Sequence, residues 1–326
     1  MAFLDIPGHG RIKNILKRAL AKGRLPHALI FSGPEDLGKK ATALVLAQAL
    51  NCLELSDDAC GRCANCRAIK NGRFPDVLEI EPVTSSISIN AIRDMKQRAY
   101  LRPMSGRNKV FIIDDADKLG EAAAHSVLKV LEEPPVGTYL ILVTPNPHLL
   151  LTTIASRCQV LEFTGLAEEE IAGILIEEGH PEEQARILAL LAQGSLFRAR
   201  DMDWEEIGEE RRRTWELFSA VLLWDRPSRF LTLFSRYPNW RLEDALRRTL
   251  GFFVCFCRDC LLVVSQGNLR MLMNPDFEKP IVEASTAAGR RRVLEVLDRL
   301  ESLLQDLPKN LNRKLLVNAL FAGLEI

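Results

Sequence analysis

Several features that mark common classes of protein are missing from this sequence of 326 residues. Its 43 basic and 43 acidic residues give a formal net charge of zero, so no basic surplus indicates free-standing binding to nucleic acid. No apolar run approaches the roughly 20 residues that a membrane-spanning helix needs. The first residues lack a charged segment followed by an apolar one, so no signal peptide is evident. These absences favour a cytoplasmic protein without a membrane partner.

The sequence also lacks internal repeats and low-complexity segments, and its composition is that of a globular protein. Hydrophobic residues make up 47% and charged residues 26% of the chain. The length predicts two or three domains. Eight cysteines in a cytoplasmic chain indicate metal ligands or reduced core thiols before disulfides.

The first 165 residues alternate short apolar runs with helical patterns, which predicts a parallel α/β sheet. From residue 167 the pattern becomes helical, first over 168–179 and then over 181–193. A second boundary falls around 202–209, and the remainder has helical periodicity without a convincing strand. The predicted strands are residues 28–31, 77–80, 110–113, 139–143 and 160–163.

A glycine-rich loop follows the first predicted strand and precedes a predicted helix over residues 41–50. Gly33, Gly38 and Lys39 complete the pattern G-x-x-x-x-G-K, in which backbone N–H groups and the lysine bind phosphates. The next position normally carries the Ser or Thr hydroxyl that ligates magnesium, but here it is Lys40. Since lysine cannot ligate a cation, this nucleotide site is degenerate, and we expect binding of ATP and magnesium to be impaired.

Two acidic residues end the third predicted strand. In P-loop proteins the first acid on such a strand helps to hold magnesium, and Asp114 fits that role. An ATPase of this type would have a glutamate next, where this chain has Asp115. The alternative is a buried strand that ends in two solvated aspartates.

Four cysteines after the predicted helix over residues 41–50 have the spacing of a metal site. Cys60, Cys63 and Cys66 form the pattern C-x2-C-x2-C, and Cys52 lies upstream of them. Four thiolates satisfy tetrahedral zinc and leave no open position for water, so the predicted zinc site is structural. The alternative is a group of reduced surface thiols, which would be prone to oxidation.

A second cysteine cluster, Cys255, Cys257 and Cys260, has apolar residues on both sides. Only two of its members share a helix face comfortably, and buried cysteine behaves as a small hydrophobic residue. We therefore predict that this cluster packs in a core and binds no metal.

Two arginines are candidates for contact with phosphate. Arg157 lies between the fourth and fifth predicted strands, and a guanidinium group can stabilise charge on a transferring phosphate. Arg198 opens a helix after Gly194 and Ser195, where it either faces a bound phosphate or pairs locally.

These segments together resemble one family, the delta-prime subunits of the bacterial DNA polymerase III clamp loader, within the AAA+ superfamily. The resemblance is dense over about residues 5–200 and rests mainly on helical character beyond them. Its motifs are GPEDLGKK at 33–40, the four cysteines, IIDDADKL at 112–119, LKVLEEPP at 128–135 and SRCQ at 156–159.

The resemblance implies a RecA-like AAA+ module over residues 1–165 with a zinc-binding insertion at about 52–66. It further implies a small helical lid over 166–205 and a helical collar for oligomerisation over 206–326. The collar would join gamma/tau and delta subunits in a five-membered ring that places the sliding clamp on primed DNA during DNA replication.

The resemblance also implies a stator without ATPase activity of its own, within a DNA-directed DNA polymerase holoenzyme. Lys40 and Asp115 depart from the gamma/tau pattern, in which Ser or Thr and Glu stand at these positions. Arg157 would act in trans as an arginine finger on ATP held by the adjacent gamma/tau subunit. The alternatives are an ATP-hydrolysing gamma/tau-type motor and a zinc-dependent DNA-binding module, and the zero net charge opposes the second.

Overall fold

The computed structural model of the protein describes residues 2–83, 86–223 and 243–306. The predicted collar extends into 224–242 and 307–326, which lie outside the described residues. Contacts divide the chain into two compact units, Met1–Leu166 with Gly194–Phe197, and Ala167–Gln193 with the described residues from Arg198 onwards. The predicted division into three domains stays a prediction.

The first unit is built on a five-stranded sheet in the order β2-β3-β4-β1-β5, and every pair of neighbouring strands is parallel. In β1, Ile30 lies opposite Leu142 of β4 and Val160 of β5. All five predicted strands are confirmed to within one residue at each end. The strands are β1 (Ala28–Ser32), β2 (Val77–Ile80), β3 (Lys109–Ile113), β4 (Thr138–Thr144) and β5 (Gln159–Glu162).

Both faces of this sheet are buried, which explains why its central strands read as continuous apolar runs. Successive side chains on a strand point to opposite faces. Thus Leu29 and Phe31 pack in one core cluster with the first three helices, while Ala28 and Ile30 pack in another with the next three. Those helices are α1 (Gly10–Ala21), α2 (Lys39–Leu50), α3 (Ala64–Lys70), α4 (Ile89–Ala99), α5 (Glu121–Glu132) and α6 (Thr152–Ala155).

The helices after the sheet agree with the sequence prediction of a helical second half. The first two lie within the predicted spans 168–179 and 181–193. In the last one Gly289 has a φ of 74°, so the helix is kinked there. The helices are α7 (Glu168–Glu177), α8 (Glu182–Leu191), α9 (Leu196–Asp201), α10 (Trp204–Leu222), α11 (Glu243–Val264) and α12 (Glu278–Asp306).

The second cysteine cluster packs in the core of the second unit, as predicted. Cys257 and Cys260 are fully buried in a cluster that includes Phe253 and Phe256. The thiol of Cys255 donates a hydrogen bond to the carbonyl of Gly251, one turn earlier in the helix. Packing in the hydrophobic core therefore accounts for these three cysteines.

Within the described residues, no helix combines the length and the apolar character that crossing a membrane requires.

Candidate functional site

The glycine-rich loop lies between β1 and α2, in the strand–loop–helix context that the sequence predicted. Gly33 has a φ of 133°, and a β-carbon at this position would lie 2.1 Å from the carbonyl oxygen of Phe163. Gly38 has a φ of 78° and caps the N-terminus of α2. A side chain at position 33 would collide with the backbone of Phe163, so the path of the loop requires glycine there.

The ammonium group of Lys39 is turned back onto this loop. It donates a hydrogen bond of 2.7 Å to the carbonyl of Gly33 and another to the carbonyl of Pro34. Only 6% of the residue is exposed, and this burial lowers the pKa of its ammonium group. The lysine that reaches phosphates in a working loop is therefore bound to the first two residues of its own loop.

Lys40 lies among carboxylates from two neighbouring strands. Its Nζ is 3.3 Å from Oδ2 of Asp114 and 3.8 Å from Oε2 of Glu79, and it also bonds Oε1 of Glu81. Burial lowers the pKa of this ammonium group, but the hydrogen bond to Glu81 and the charge of Asp114 outweigh burial and raise it. An ammonium group has no lone pair to offer a metal, so Lys40 places a fixed positive charge beside Asp114.

Asp115 also has a cation beside it. Its backbone is left-handed, with a φ of 48°, and its Oδ2 lies 2.7 Å from Nζ of Lys118. In an ATPase the glutamate at this position polarises the attacking water. The ion pair with Lys118 and the shorter side chain both oppose that use of Asp115.

The loop and the acidic strand end face a cavity of about 500 Å³. Four carboxylates and two lysine ammonium groups line it, so its charged side chains have a surplus of two negative charges. A surplus of this sign disfavours a polyphosphate. The lining residues are Glu35, Asp36, Gly38, Lys39, Lys40, Ala41, Asp114, Asp115, Val143, Pro145 and Phe197.

Sequence reasoning did not identify Glu79 and Glu81 as part of this site. Both lie at the carboxyl end of β2, and β2 is the neighbour of β3 in the sheet. Because the carboxyl ends of parallel strands share one edge, an acidic pair there was a usable signal. The acidic residues Glu35 and Asp36 inside the loop were a second signal.

Arg157 lies on the surface of the first unit and is not among the residues that line the cavity. Its Nη2 is 2.9 Å from Oε1 of Glu132, and its Nη1 donates to the carbonyl of Thr153 at 3.0 Å. The side chain remains 39% exposed. The structure thus brings Lys39, Lys40, Asp114 and Asp115 together and leaves Arg157 apart from them.

Arg198 belongs to the second unit, and its Nη1 lies 3.5 Å from Oε1 of Gln193. The contact fits the interpretation in which this arginine pairs locally. A role for Arg198 in the nucleotide site stays a prediction.

The four cysteines of the first cluster converge in the first unit. The sulfur atoms of Cys52, Cys60, Cys63 and Cys66 all lie within 4.8 Å of one another. Tetrahedral zinc with Zn–S bonds of about 2.3 Å requires S–S separations of about 3.8 Å, so small side-chain adjustments suffice. The arrangement is compatible with a structural zinc site.

The surroundings of these sulfur atoms act on the four thiols unequally: burial raises the pKa of the Cys60 and Cys66 thiols, whereas hydrogen bonds from backbone N–H groups outweigh burial and lower the pKa of the Cys52 and Cys63 thiols. Backbone N–H groups of Leu55, Cys63 and Cys66 donate to the sulfurs of Cys52, Cys60 and Cys63, respectively, at 3.3–3.4 Å. Burial opposes ionisation of Cys63, but the N–H groups of Leu53 and Cys66 lower the pKa of its thiol to about 7. Thiolates packed this closely repel one another unless a cation lies between them, which fits a metal ion.

The parallel sheet and the glycine-rich loop between β1 and α2 together define a P-loop type of fold, and comparisons with known proteins show which proteins this chain is similar to. A family model described as "DNA polymerase III, delta subunit" matches residues 8–167. The DNA polymerase III subunit delta' of Bacillus subtilis (strain 168) is 29% identical over 297 residues, which cover 90% of each chain.

The tau subunits match a shorter part of this chain than the delta' subunit does. Tau of Bacillus subtilis is 35% identical over 205 residues, and tau of Escherichia coli (strain K12) is 36% identical over 203 residues. These matches cover 60% and 61% of this chain but 36% and 31% of the tau chains, about a third of their length. A Thermotoga maritima structure titled as a DNA polymerase III gamma subunit-related protein has a TM-score of 0.46 at 21% identity, covering 95% of this chain and 97% of its own.

The homologues of this chain are therefore subunits of the DNA polymerase III clamp loader, of the delta' and tau/gamma types. The resemblance to delta-prime subunits that the motifs indicated is confirmed.

Proposed function

We propose that this chain is the delta-prime-type subunit of a clamp loader, a stator that does not hydrolyse ATP. It assembles with gamma/tau and delta subunits in a five-membered ring and helps to load the sliding clamp onto primed DNA. The observation that carries the proposal is the Lys40 ammonium group 3.3 Å from Asp114, beside the carboxylate that would help to hold magnesium.

The hydrogen bonds of Lys39 and the charge of the cavity support the same proposal. Gly33, Gly38 and Lys39 would contact phosphates and Asp114 would hold magnesium, if the site were active. Binding must first separate Lys39 from the carbonyls of Gly33 and Pro34 and then overcome four carboxylates. Magnesium itself would have to compete with Lys40 for Asp114.

Arg157 supplies the catalytic contribution of this stator, in trans. Its exposed guanidinium group lies outside the cavity of its own chain and can contact the γ-phosphate of ATP on an adjacent gamma/tau subunit. The four-cysteine site holds zinc, which stabilises the insertion at about 52–66. The predicted collar over 206–326 provides the contacts of the ring.

Reconstitution tests the proposal as a whole. Purified gamma/tau and delta subunits should load the sliding clamp onto primed DNA only when this chain is added. The chain alone should release no phosphate from ATP. Steady hydrolysis by the isolated chain would instead support the motor alternative.

Replacing Lys40 by threonine should create magnesium-dependent nucleotide binding. Lys40→Thr removes the cation next to Asp114 and supplies the hydroxyl that ligates magnesium in working loops. We expect its affinity for a non-hydrolysable ATP analogue to rise at least about tenfold with magnesium, and not with EDTA, in calorimetric titrations.

Lys118→Thr is the matched control for this change. Its ammonium group pairs with Asp115 at the same cavity, and its side chain is 42% exposed, compared with 37% for Lys40. This variant should bind nucleotide no better than the wild type. Equal behaviour of the two variants would contradict the role given to Lys40.

A further inference from the structure

The segment LKVLEEPP at 128–135 is one of the motifs that carry the family resemblance. Its two glutamates, Glu132 and Glu133, are not among the residues that line the cavity. Glu132 is the last residue of α5, and Glu133, Pro134 and Pro135 follow it. Its carboxylate reaches across to the turn after α6, where Oε1 lies 2.9 Å from Nη2 of Arg157. We propose that Glu132 is a positioning residue that holds the guanidinium group of Arg157 ready for the neighbouring subunit's ATP. The inference rests on the proposed function of Arg157 in trans.

Three acceptors fix the guanidinium group. Glu132 accepts from Nη2, while the carbonyl of Thr153 and the hydroxyl of Ser156 accept from Nη1 at 3.0 and 3.4 Å. A guanidinium group has five N–H donors in a rigid fork, so donors remain for a phosphate. The exposed fraction of 39% keeps Arg157 accessible. These contacts order the side chain of Arg157 before the reaction begins. The entropy cost of ordering this long side chain is therefore not added to the barrier of the transition state.

The end of α5 is itself held in place. The imidazole of His27 forms a hydrogen bond of 3.1 Å with the carbonyl of Leu131, which links the helix end to the start of β1. Pro134 disfavours helical backbone at Glu133, whose φ and ψ are −127° and 69°, so the helix ends there. A carboxylate at a helix C-terminus is opposed by the helix dipole, and the cation of Arg157 compensates for it. The position of Glu132 at the end of α5 therefore favours its ion pair with Arg157.

Glu133 provides a matched control, because it is the adjacent glutamate and is also exposed. The experiment uses the loader reconstituted with gamma/tau and delta subunits, the sliding clamp and primed DNA. ATP hydrolysis is measured with this chain as wild type, Glu132→Ala, Glu132→Gln, Glu133→Ala, Arg157→Ala and the double variant Glu132→Ala/Arg157→Ala. Thermal melting and gel filtration confirm folding and assembly.

We expect Glu132→Ala to lower kcat about fivefold, as for residues in direct contact, with KM for ATP unchanged within about twofold. Glu132→Gln should fall between it and the wild type, because the amide oxygen still accepts a hydrogen bond. Glu133→Ala should retain the wild-type kcat. The double variant should be no slower than Arg157→Ala alone, which a merely structural role of Glu132 would not produce.

Equal kcat values for Glu132→Ala and Glu133→Ala, a rise in kcat for Glu132→Ala, or additive losses in the double variant would each overturn the positioning role. If Arg157→Ala is slow in the same experiment, the trans role of Arg157 survives that result. An unchanged rate for Arg157→Ala would overturn the proposed trans role itself, together with this inference.

Discussion

Arg157→Ala should assemble normally into the complete loader and strongly depress its clamp-stimulated, DNA-dependent ATPase. An arginine that stabilises the transferring phosphate accelerates hydrolysis by about 10³–10⁵ at the site that it serves. The ion pair of Arg157 with Glu132 is exposed, so its loss should change the stability of the chain by at most about 1 kcal/mol. The expected result is therefore a loss of rate without a loss of the complex.

Arg62→Ala is the control for Arg157→Ala, because it removes a different exposed arginine that also forms an ion pair. The Nε atom of Arg62 lies 2.8 Å from Oε2 of Glu54, and the side chain is 81% exposed. This variant should hydrolyse ATP at the wild-type rate within the loader. Gel filtration of each complex and phosphate release per complex are the measurements. An Arg157→Ala loader with the wild-type rate would contradict the trans role.

Cys66→Ser should abolish zinc binding and destabilise the first unit. The side chain of Cys66 is fully buried, and its carbonyl accepts a hydrogen bond of 2.8 Å from Nε2 of Gln48 in α2. The cysteine cluster therefore packs on the core of the sheet. Structural zinc contributes about 10–16 kcal/mol of binding free energy in small zinc fingers, and part of it here should stabilise the fold. We expect the melting temperature to fall by about 10 °C or more.

Elemental analysis and differential scanning calorimetry test this expectation. The wild type should contain one zinc ion per chain, and Cys66→Ser should contain none. Cys255→Ser is the control, because Cys255 is a buried cysteine whose hydrogen bond to Gly251 a serine hydroxyl can make. That variant should retain its zinc. A wild-type chain purified without zinc, or a Cys66→Ser variant that keeps it, would contradict the assignment.

The sequence predicted the sheet well because buried parallel strands leave a strong local signal. Runs such as 28–31 and 110–113 are wholly apolar, and the residues after them, Ser32 and Gly33 or Asp114 and Asp115, mark the start of a loop. The cysteine spacing likewise depends on neighbours in sequence, and the close approach of the four sulfurs agrees with it.

The partners of the site residues could not be read in the same way. Glu79 and Glu81 reach Lys40 only because β2 lies next to β3 in the sheet, and strand order is a tertiary property. The ion pair of Glu132 with Arg157 joins the end of α5 to the turn after α6, and β4 lies between these two positions in the sequence. The hydrogen bond from Lys39 to the carbonyl of Gly33 depends on the path of the loop backbone. The residue types of the site were thus predictable, whereas its internal ion pairs required the structure.

The most direct test of the central claim is a calorimetric titration of the isolated wild-type chain with ATP and magnesium, with Lys40→Thr titrated in parallel. We predict no binding heat for the wild type at millimolar nucleotide, because Lys40 pairs with Asp114 and the cavity carries excess negative charge. Clear magnesium-dependent binding by the wild type would contradict the claim that Lys40 closes this site. The loop would then be active, and ATP turnover by the isolated chain would decide between the stator and the motor.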